Sequence, residues 1–145
     1  MLRIFADANV LIAGAHSRSG ASGAVLLLAE VGLCRLVVSR QVLDEAERNL
    51  RKKLPRALPT FAELLSSVQM EIVSDPELFA WQRWQGLIEE KDAPILEAAV
   101  VANVDRLLTL NTRDFTPEVG AKSGLYIQTP AQFINELRDL VSDSL

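Results

Sequence analysis

Four acidic residues fall where a predicted strand ends or near the start of a predicted helix: Asp7, Glu45, Asp92 and Asp114. In a parallel α/β sheet these places share one edge, so the four side chains would converge there. Two carboxylates about 5 Å apart repel by about 3 kcal/mol at an effective dielectric constant of about 20, and a divalent cation removes that cost. Oxygen ligands without His or Cys select Mg²⁺ or Mn²⁺, and such an ion can activate water and stabilise charge on a phosphoryl group.

Three of these acids also have a purely structural interpretation. Asp7 can be a turn or cap residue. Asp92 stands before an Ala-Pro pair and suits a helix N-cap, and Asp114 suits an Asx-type loop. The residue types alone do not decide between these roles and metal binding.

Glu47 is an alternative to Glu45 as the acid that this predicted helix contributes to the sheet edge. Both lie on the borders of one apolar helical stripe, whereas Asp44 points away from it. Glu45 is nearer the sheet edge, and helical side chains lean toward the N-terminus, but it could instead pair with Arg48 for a few tenths of a kcal/mol. The helical wheel leaves the choice open. The stripe consists of Val42, Leu43, Ala46, Leu50 and Leu54.

The composition excludes several kinds of protein. Cys34 is the only cysteine and His16 the only histidine, so neither an internal disulfide nor a zinc site with three or four N/S ligands can form. A net charge of −4 argues against general affinity for nucleic acids but permits a local basic patch. No apolar run reaches the about 18 residues of a membrane span, and no signal peptide is recognisable. We therefore expect a soluble, cytoplasmic protein.

Alternating strands and helices must position the acids. The pattern predicts a three-layer α/β/α fold with a central, mainly parallel sheet. Asn9 is expected to cap a helical turn that follows the first strand, and residues 14–20 to form a loop. The first strand is predicted to end at Asp7, and further strands are predicted over residues 35–38, 70–73, 106–110 and 125–128. Helices are predicted from a Ser22 cap to Gly32, from a Ser39 cap to Leu54, and over 61–67, 76–86, 92–104 and 129–140.

Four segments resemble the PIN domain and occur in the family's order. They are residues 5–12 (FADANVLI), 39–46 (SRQVLDEA), 91–99 (KDAPILEAA) and 108–115 (LTLNTRDF). The resemblance is closest to the predicted toxin ribonucleases that include VapC. It spans nearly the whole chain, so it is far more specific than any one motif, and it implies a single nuclease domain over residues 1–145.

The resemblance implies a metal-dependent endoribonuclease that hydrolyses RNA phosphodiester bonds with a metal-activated water. The family's acids match Asp7, Glu45 and Asp92, which would hold Mg²⁺ or Mn²⁺, and this match favours Glu45 over Glu47. The fourth acid of the family comes from the loop at residues 111–114. Because Asn111 stands where many members have Asp, we assign the fourth catalytic and metal-binding role to Asp114.

Three polar residues receive supporting roles: Asn9, Thr109 and Asn111. RNA would also need basic contacts beside the acids, and the candidates are Arg48, Arg51 and Lys52, followed by Lys53 and Arg56. The alternative is that these cations form only a solvated helix face. The toxin class further implies an antitoxin partner and a homodimer.

Two other functions remain open at this point. One is a catalytically silent PIN-like subunit that binds RNA or a partner protein, although the presence of Asp7, Glu45 and Asp92 together argues against it. The other is a haloacid-dehalogenase-like phosphatase, suggested by Asp7 two residues before Asn9. That chemistry wants a second acid at position 9, which this chain lacks.

Overall fold

Five parallel strands form the central sheet of the computed structural model, which describes residues 1–77 and 79–144. The strand order is β3-β2-β1-β4-β5, and each neighbouring pair is parallel. The predicted α/β fold with a parallel sheet is confirmed. The strands are β1 (Arg3–Ala6), β2 (Arg35–Ser39), β3 (Met70–Val73), β4 (Arg106–Leu108) and β5 (Ile127–Gln128).

Seven α-helices are present among the described residues, together with 3-10 helices at Pro55–Ala57 and Ala80–Trp84. None of these helices is long and apolar enough to cross a membrane. The α-helices are α1 (Ala8–His16), α2 (Ala21–Glu30), α3 (Arg40–Lys53), α4 (Leu58–Ser67), α5 (Ala93–Ala102), α6 (Pro117–Ser123) and α7 (Pro130–Ser144).

The first strand lies at the centre of the sheet. Ile4, Phe5 and Ala6 are fully buried, as expected for a parallel strand covered on both faces. From β1 the chain runs outward through β2 to β3, and then crosses back to β4 on the other side of β1. The order of the strands therefore reverses between β1 and β4, which is the place where open α/β sheets bind ligands.

Helices cover both faces of this sheet. Contacts join α1 to α2, α3 and α4, and join α2 to α7, so these five helices form one layer. Right-handed crossovers place α5 and α6 on the opposite face. Buried Glu97 of α5 accepts hydrogen bonds at 2.8 Å from the Arg83 guanidinium and the Trp84 indole, and so fixes the 3-10 helix that precedes α5.

The first helices differ from the prediction at their ends. Residues 14–16, predicted as loop, complete α1. Ser22 does not cap α2, because the helix begins at Ala21 with Gly20 at the N-cap, and Ser22 is buried inside the first turn. In contrast, Ser39 caps α3 as predicted, since its hydroxyl accepts the N–H of Val42 at 3.3 Å.

The segment between β3 and α5 is not the α-helix predicted over 76–86. Only a 3-10 helix forms at Ala80–Trp84, and Leu78 lies outside the described residues. Trp84 is buried, but Gln82 and Arg83 beside it are exposed. This segment is held by the contacts of Arg83 and Trp84 with Glu97.

Later elements also have different lengths from those expected. The loop after β4 contains a short helix, α6, which sequence analysis missed although Thr116 caps it and Gly124 ends it with φ +78°. It escaped notice because it has seven residues and buries only Val119. The strands β4 and β5 are shorter than predicted, and α7 continues beyond residue 140 to Ser144.

Candidate metal centre at the carboxyl edge of the sheet

Asp7 lies between β1 and α1 and is buried. Its Oδ1 accepts the N–H of Ala8 at 2.8 Å, while its Oδ2 accepts the Thr109 hydroxyl at 2.8 Å and the Asn9 amide at 3.2 Å. Burial raises the pKa of Asp7, because the loss of hydration disfavours the carboxylate more than these hydrogen bonds favour it. The residue occupies the helix N-cap position, as its structural interpretation predicted, and also faces the sheet edge.

Asn9 and Thr109 tie the end of β1 to the end of β4. Asn9 does not cap α1, contrary to prediction, because Asp7 is the N-cap residue. The Asn9 Oδ1 accepts the N–H of Leu110 at 2.9 Å, and the Thr109 Oγ1 accepts the N–H of Asn111 at 3.0 Å. The two supporting residues thus orient Asp7 and fix the loop after β4.

Asp92 occupies the N-cap position of α5, but its side chain makes no capping hydrogen bond. The reason is that its backbone is already helical, with φ −96° and ψ −17°, whereas a side-chain cap needs extended backbone. The structural interpretation of Asp92 as a side-chain cap is therefore wrong, and its metal-binding role stays a prediction. Asp92 is only 7% exposed, and its Oδ2 is buried without a hydrogen-bond partner among the described residues.

Asp92 and Asp114 are close enough to share a proton. Burial and then the neighbouring Asp114 raise the pKa of Asp92 to about 7, although the positive charge of Lys91 acts in the opposite direction. Asp114 responds in the other sense, since the hydrogen bond from Asn111 and then that from Asp92 lower its pKa. Below about pH 7 the metal-free protein therefore holds a proton on Asp92 rather than on Asp114.

Asn111 holds Asp114 in place with both ends of its amide. Its Nδ2 donates to Asp114 Oδ2 at 3.0 Å, and its Oδ1 accepts the N–H of Asp114 at 3.2 Å. Asn111, rather than Asp114, is thus the Asx-type residue of this loop. The amide orients the carboxylate and brings no charge of its own.

Glu45 is half-buried near the start of α3. Burial raises its pKa, and the negative charge of Asp7 raises it further, so the two carboxylates face the same region. Glu47 instead pairs with Arg51 at 2.8 Å on the exposed side of the helix. The Glu45–Arg48 ion pair considered as an alternative role for Glu45 is not among those formed by the described residues, although the charge of Arg48 does lower the pKa of Glu45.

Two charged residues at this edge were missed by sequence analysis. Glu89, Asp92 and Asp114 each present one carboxylate oxygen within 4.8 Å of the others. The charge of Lys91 acts on Glu45, Asp92 and Asp114. The charged run at residues 89–92 was a signal for both, but it lies in a stretch without hydrophobic periodicity.

The basic residues predicted to contact RNA lie on the exposed side of α3. Arg48, Arg51, Lys52 and Lys53 are exposed, and Arg56 is exposed just beyond the helix. Arg51 is engaged with Glu47, whereas Arg48 is close enough to Glu45 to affect its ionisation. The basic stripe therefore begins beside the acids and runs away from them.

A parallel sheet with buried carboxylates at its topological switch point defines an α/β protein with an acidic ligand-binding edge. A family model for the PIN domain matches residues 3–113, which is most of the chain. This chain belongs to the PIN domain family. The match includes Asp7, Glu45 and Asp92 and stops one residue before Asp114.

Solved structures share this fold. The protein PAE2754 from Pyrobaculum aerophilum is 20% identical, with a TM-score of 0.63 over 92% of this chain and 88% of that chain. VapBC2 from Rickettsia felis, solved with a DNA fragment from its promoter, is 18% identical, with a TM-score of 0.63 over 88% and 98% of the two chains. A toxin–antitoxin complex from Klebsiella pneumoniae is 21% identical, with a TM-score of 0.59 over 88% and 97%. A comparison with curated proteins gives no match.

Proposed function

We propose that this chain is a Mg²⁺- or Mn²⁺-dependent endoribonuclease and the toxin of a toxin–antitoxin pair. The observation that carries the proposal is a set of four neighbouring acids near the switch point of the sheet: the charge of Asp7 acts on Glu45 and Asp92, and carboxylate oxygens of Asp92 and Asp114 lie within 4.8 Å of each other. Membership of the PIN domain family supports a nuclease, and the fold shared with toxin–antitoxin proteins supports the toxin role.

The donor set fits a divalent cation. Burial or a neighbouring acid raises the pKa of Asp7, Glu45 and Asp92, which is expected where carboxylates crowd together without a counter-charge. The buried Oδ2 of Asp92 has no partner among the described residues and is a ready ligand atom. All donors are oxygens, so Mg²⁺ or Mn²⁺ is the expected ion.

In this mechanism Asp7, Glu45 and Asp92 would hold the cation, and Asp114 would bind a second ion or orient water. A bound cation supplies positive charge that activates water and stabilises a phosphoryl group during hydrolysis. Thr109 and Asn9 keep the Asp7 carboxylate fixed, and Asn111 does the same for Asp114. Asp92 must release its proton before it binds a cation, so cation binding and proton loss are coupled.

The basic side chains at the edge of the site bind the RNA phosphates that flank the cleaved bond. Lys91 lies among the acids, and Arg48 begins the basic stripe on α3 that includes Lys52. Such contacts fix the position of RNA without reading its sequence. Within the toxin role, we propose that an antitoxin protein binds this chain, that the toxin is a homodimer, and that residues 1–145 act as one nuclease domain.

RNA cleavage with and without metal tests this proposal. The purified protein is incubated with mixed RNAs in Mn²⁺, in Mg²⁺ and in excess EDTA, beside the Asp92→Asn variant and an Asp44→Asn control on the exposed side of α3. We expect cleavage only with metal, a loss of orders of magnitude in Asp92→Asn, and no loss in the control. Full cleavage in EDTA, or near-normal cleavage by Asp92→Asn at limiting Mn²⁺, would contradict the proposal.

A chromogenic phosphate ester in the same experiment separates a phosphatase from a ribonuclease. The amide of Asn9 is committed to Asp7 and Leu110, so position 9 offers no acid for phosphatase chemistry. We expect no metal-dependent hydrolysis of the ester under conditions in which RNA is cleaved.

A further inference from the structure

We propose that Glu89 is an additional carboxylate ligand of the bound cation, acting from the side of the site formed by Asp92 and Asp114. This inference rests on the proposed metal-dependent function and adds a residue outside the four acids assigned above.

The chain reversal before α5 carries Glu89 to this position. The backbone carbonyl of Glu89 accepts the N–H of Asp92 at 3.0 Å and the N–H of Ala93 at 3.1 Å, so residues 89–92 form a tight turn. That turn brings the side chains of Glu89 and Asp92 close together. Each of Glu89, Asp92 and Asp114 then offers one carboxylate oxygen within 4.8 Å of the other two.

A separate observation indicates that this cluster receives a ligand. Asp92 is 7% exposed, and its Oδ2 is buried with no hydrogen-bond partner among the described residues. A buried carboxylate oxygen without a donor is costly unless a cation or a proton satisfies it. Because the Asp92 carboxylate belongs to the cluster, a cation bound there would lie within reach of the Glu89 and Asp114 carboxylates.

Other neighbours do not account for Glu89. Its ion pair with Lys91 is long, at 3.8 Å, and the side chains are 60% and 71% exposed, so this contact contributes little. Asn111 brings no negative charge as a ligand, and its amide oxygen already accepts the N–H of Asp114. Glu90, the next residue, is exposed and outside the cluster.

The adjacent acid supplies a matched control. Glu89→Gln and Glu90→Gln each remove one negative charge from neighbouring exposed positions. Mn²⁺ binding to the wild-type protein and to both variants is measured by titration calorimetry at about 0.5 M KCl, where the Debye length is only a few ångströms and long-range charge effects are screened. Circular dichroism checks that all three proteins are folded.

We expect Glu89→Gln to weaken Mn²⁺ binding at least about tenfold, the lower end of the loss caused by changing groups near a metal. Glu90→Gln should change it less than about twofold. Equal affinities in the two variants would overturn the role of Glu89 and leave the proposed nuclease intact if the wild type still binds Mn²⁺. No Mn²⁺ binding by the folded wild type would instead overturn the proposed metal-dependent function.

Discussion

Asp92 is a residue at which the metal-free protein is under electrostatic stress. Its carboxylate is buried beside Asp114 and has one oxygen without a donor among the described residues. Such a group stabilises the fold poorly when it is ionised and no cation is bound. The same properties make it a good ligand, so stability without metal and affinity for metal should respond in opposite directions to its replacement.

The pH dependence of stability should report this stress. Between about pH 4 and 7 the folded protein keeps a proton on Asp92 that the unfolded chain has released, so the free energy of unfolding falls as the pH rises through this window. The raised pKa values of Asp7 and Glu45 act in the same direction. We expect thermal melts in EDTA to give a Tm lower at pH 8 than at pH 5 by at least about 3 °C.

The Asp92→Asn variant tests the assignment of this effect. It should melt at the same temperature as the wild type or higher at pH 8, and its Tm should fall less between pH 5 and 8. The asparagine loses no cap, because the Asp92 side chain makes no capping hydrogen bond. An unchanged pH dependence in Asp92→Asn would show that Asp92 is not the group responsible.

Sequence position predicted where Asp7, Asp92 and Asp114 lie, because strand ends and helix starts can be recognised from hydrophobic patterns. It could not predict how they interact. Whether Asp92 caps its helix depends on a backbone angle, and the role of Asn111 depends on a loop conformation that no periodicity encodes. Glu89 was missed for the same reason. The turn at residues 89–92 brings it near Asp92, but the sequence alone does not distinguish it from the neighbouring acid Glu90.

Among the elements, the join between β1 and β4 has the greatest effect on the site. Two strands far apart in the chain are connected beyond their ends by side chains, with Thr109 at the centre. Its hydroxyl donates to Asp7 and accepts from the backbone of Asn111, and the residue is fully buried. The loop that carries Asp114 is thereby fixed relative to Asp7.

Thr109→Val should weaken this join, because valine has nearly the same shape but no hydroxyl. We expect the free energy of unfolding to fall by about 1–3 kcal/mol, since buried polar groups lose their partner. The pKa of Asp7 should rise further, because the Thr109 hydrogen bond is the largest influence that lowers it.

Urea denaturation gives the stability change, with Thr112→Val, an exposed threonine in the same loop, as the control. The control should be within about 0.5 kcal/mol of the wild type. Equal stabilities for the two variants would mean that the Thr109 hydroxyl does not hold the strands together.

In the proposed function, basic residues on the exposed side of α3 bind RNA. Replacing Arg48 and Lys52 together with Ala should weaken RNA binding, and the slope of log affinity against log salt should fall by about 1 for each lost phosphate contact. Binding is measured in Ca²⁺ or EDTA, without cleavage, at several salt concentrations. Replacing Lys122 on α6 and Arg138 on α7 with Ala removes the same charge and serves as the control. An unchanged slope of log affinity against log salt in the α3 variant would mean that Arg48 and Lys52 do not contact RNA.

Elements with strong periodicity were predicted well, and those held by tertiary contacts were not. The long amphipathic helix α3 begins at its predicted cap because Ser39 and the apolar stripe both specify it. In contrast, residues 80–84 form a 3-10 helix because Arg83 and Trp84 reach Glu97 across the fold. A contact of that kind cannot be read from local sequence.

The complete fold should respond to metal as a single unit. A cation that binds only the folded state stabilises it by about 2.7 kcal/mol at a concentration 100 times the dissociation constant. We expect Mn²⁺ to raise the Tm, and to raise it more at pH 8 than at pH 5, because at pH 5 a proton on Asp92 competes with the metal. Thermal melts of the wild type and of Asp92→Asn measure this, and an equal Mn²⁺ shift in both proteins would argue against metal binding by Asp92.

The acids of the proposed centre come from widely separated parts of the chain, with Asp7 just after the first strand and Asp114 after the fourth. A ribosome therefore makes the proposed ligand Asp7 well before Asp114, which follows only when β4 and its loop have been synthesised. Until then β1 lacks its neighbour β4, and the switch point does not exist. In the proposed function, a growing chain should therefore be unable to cleave the RNA around it until that loop has been made.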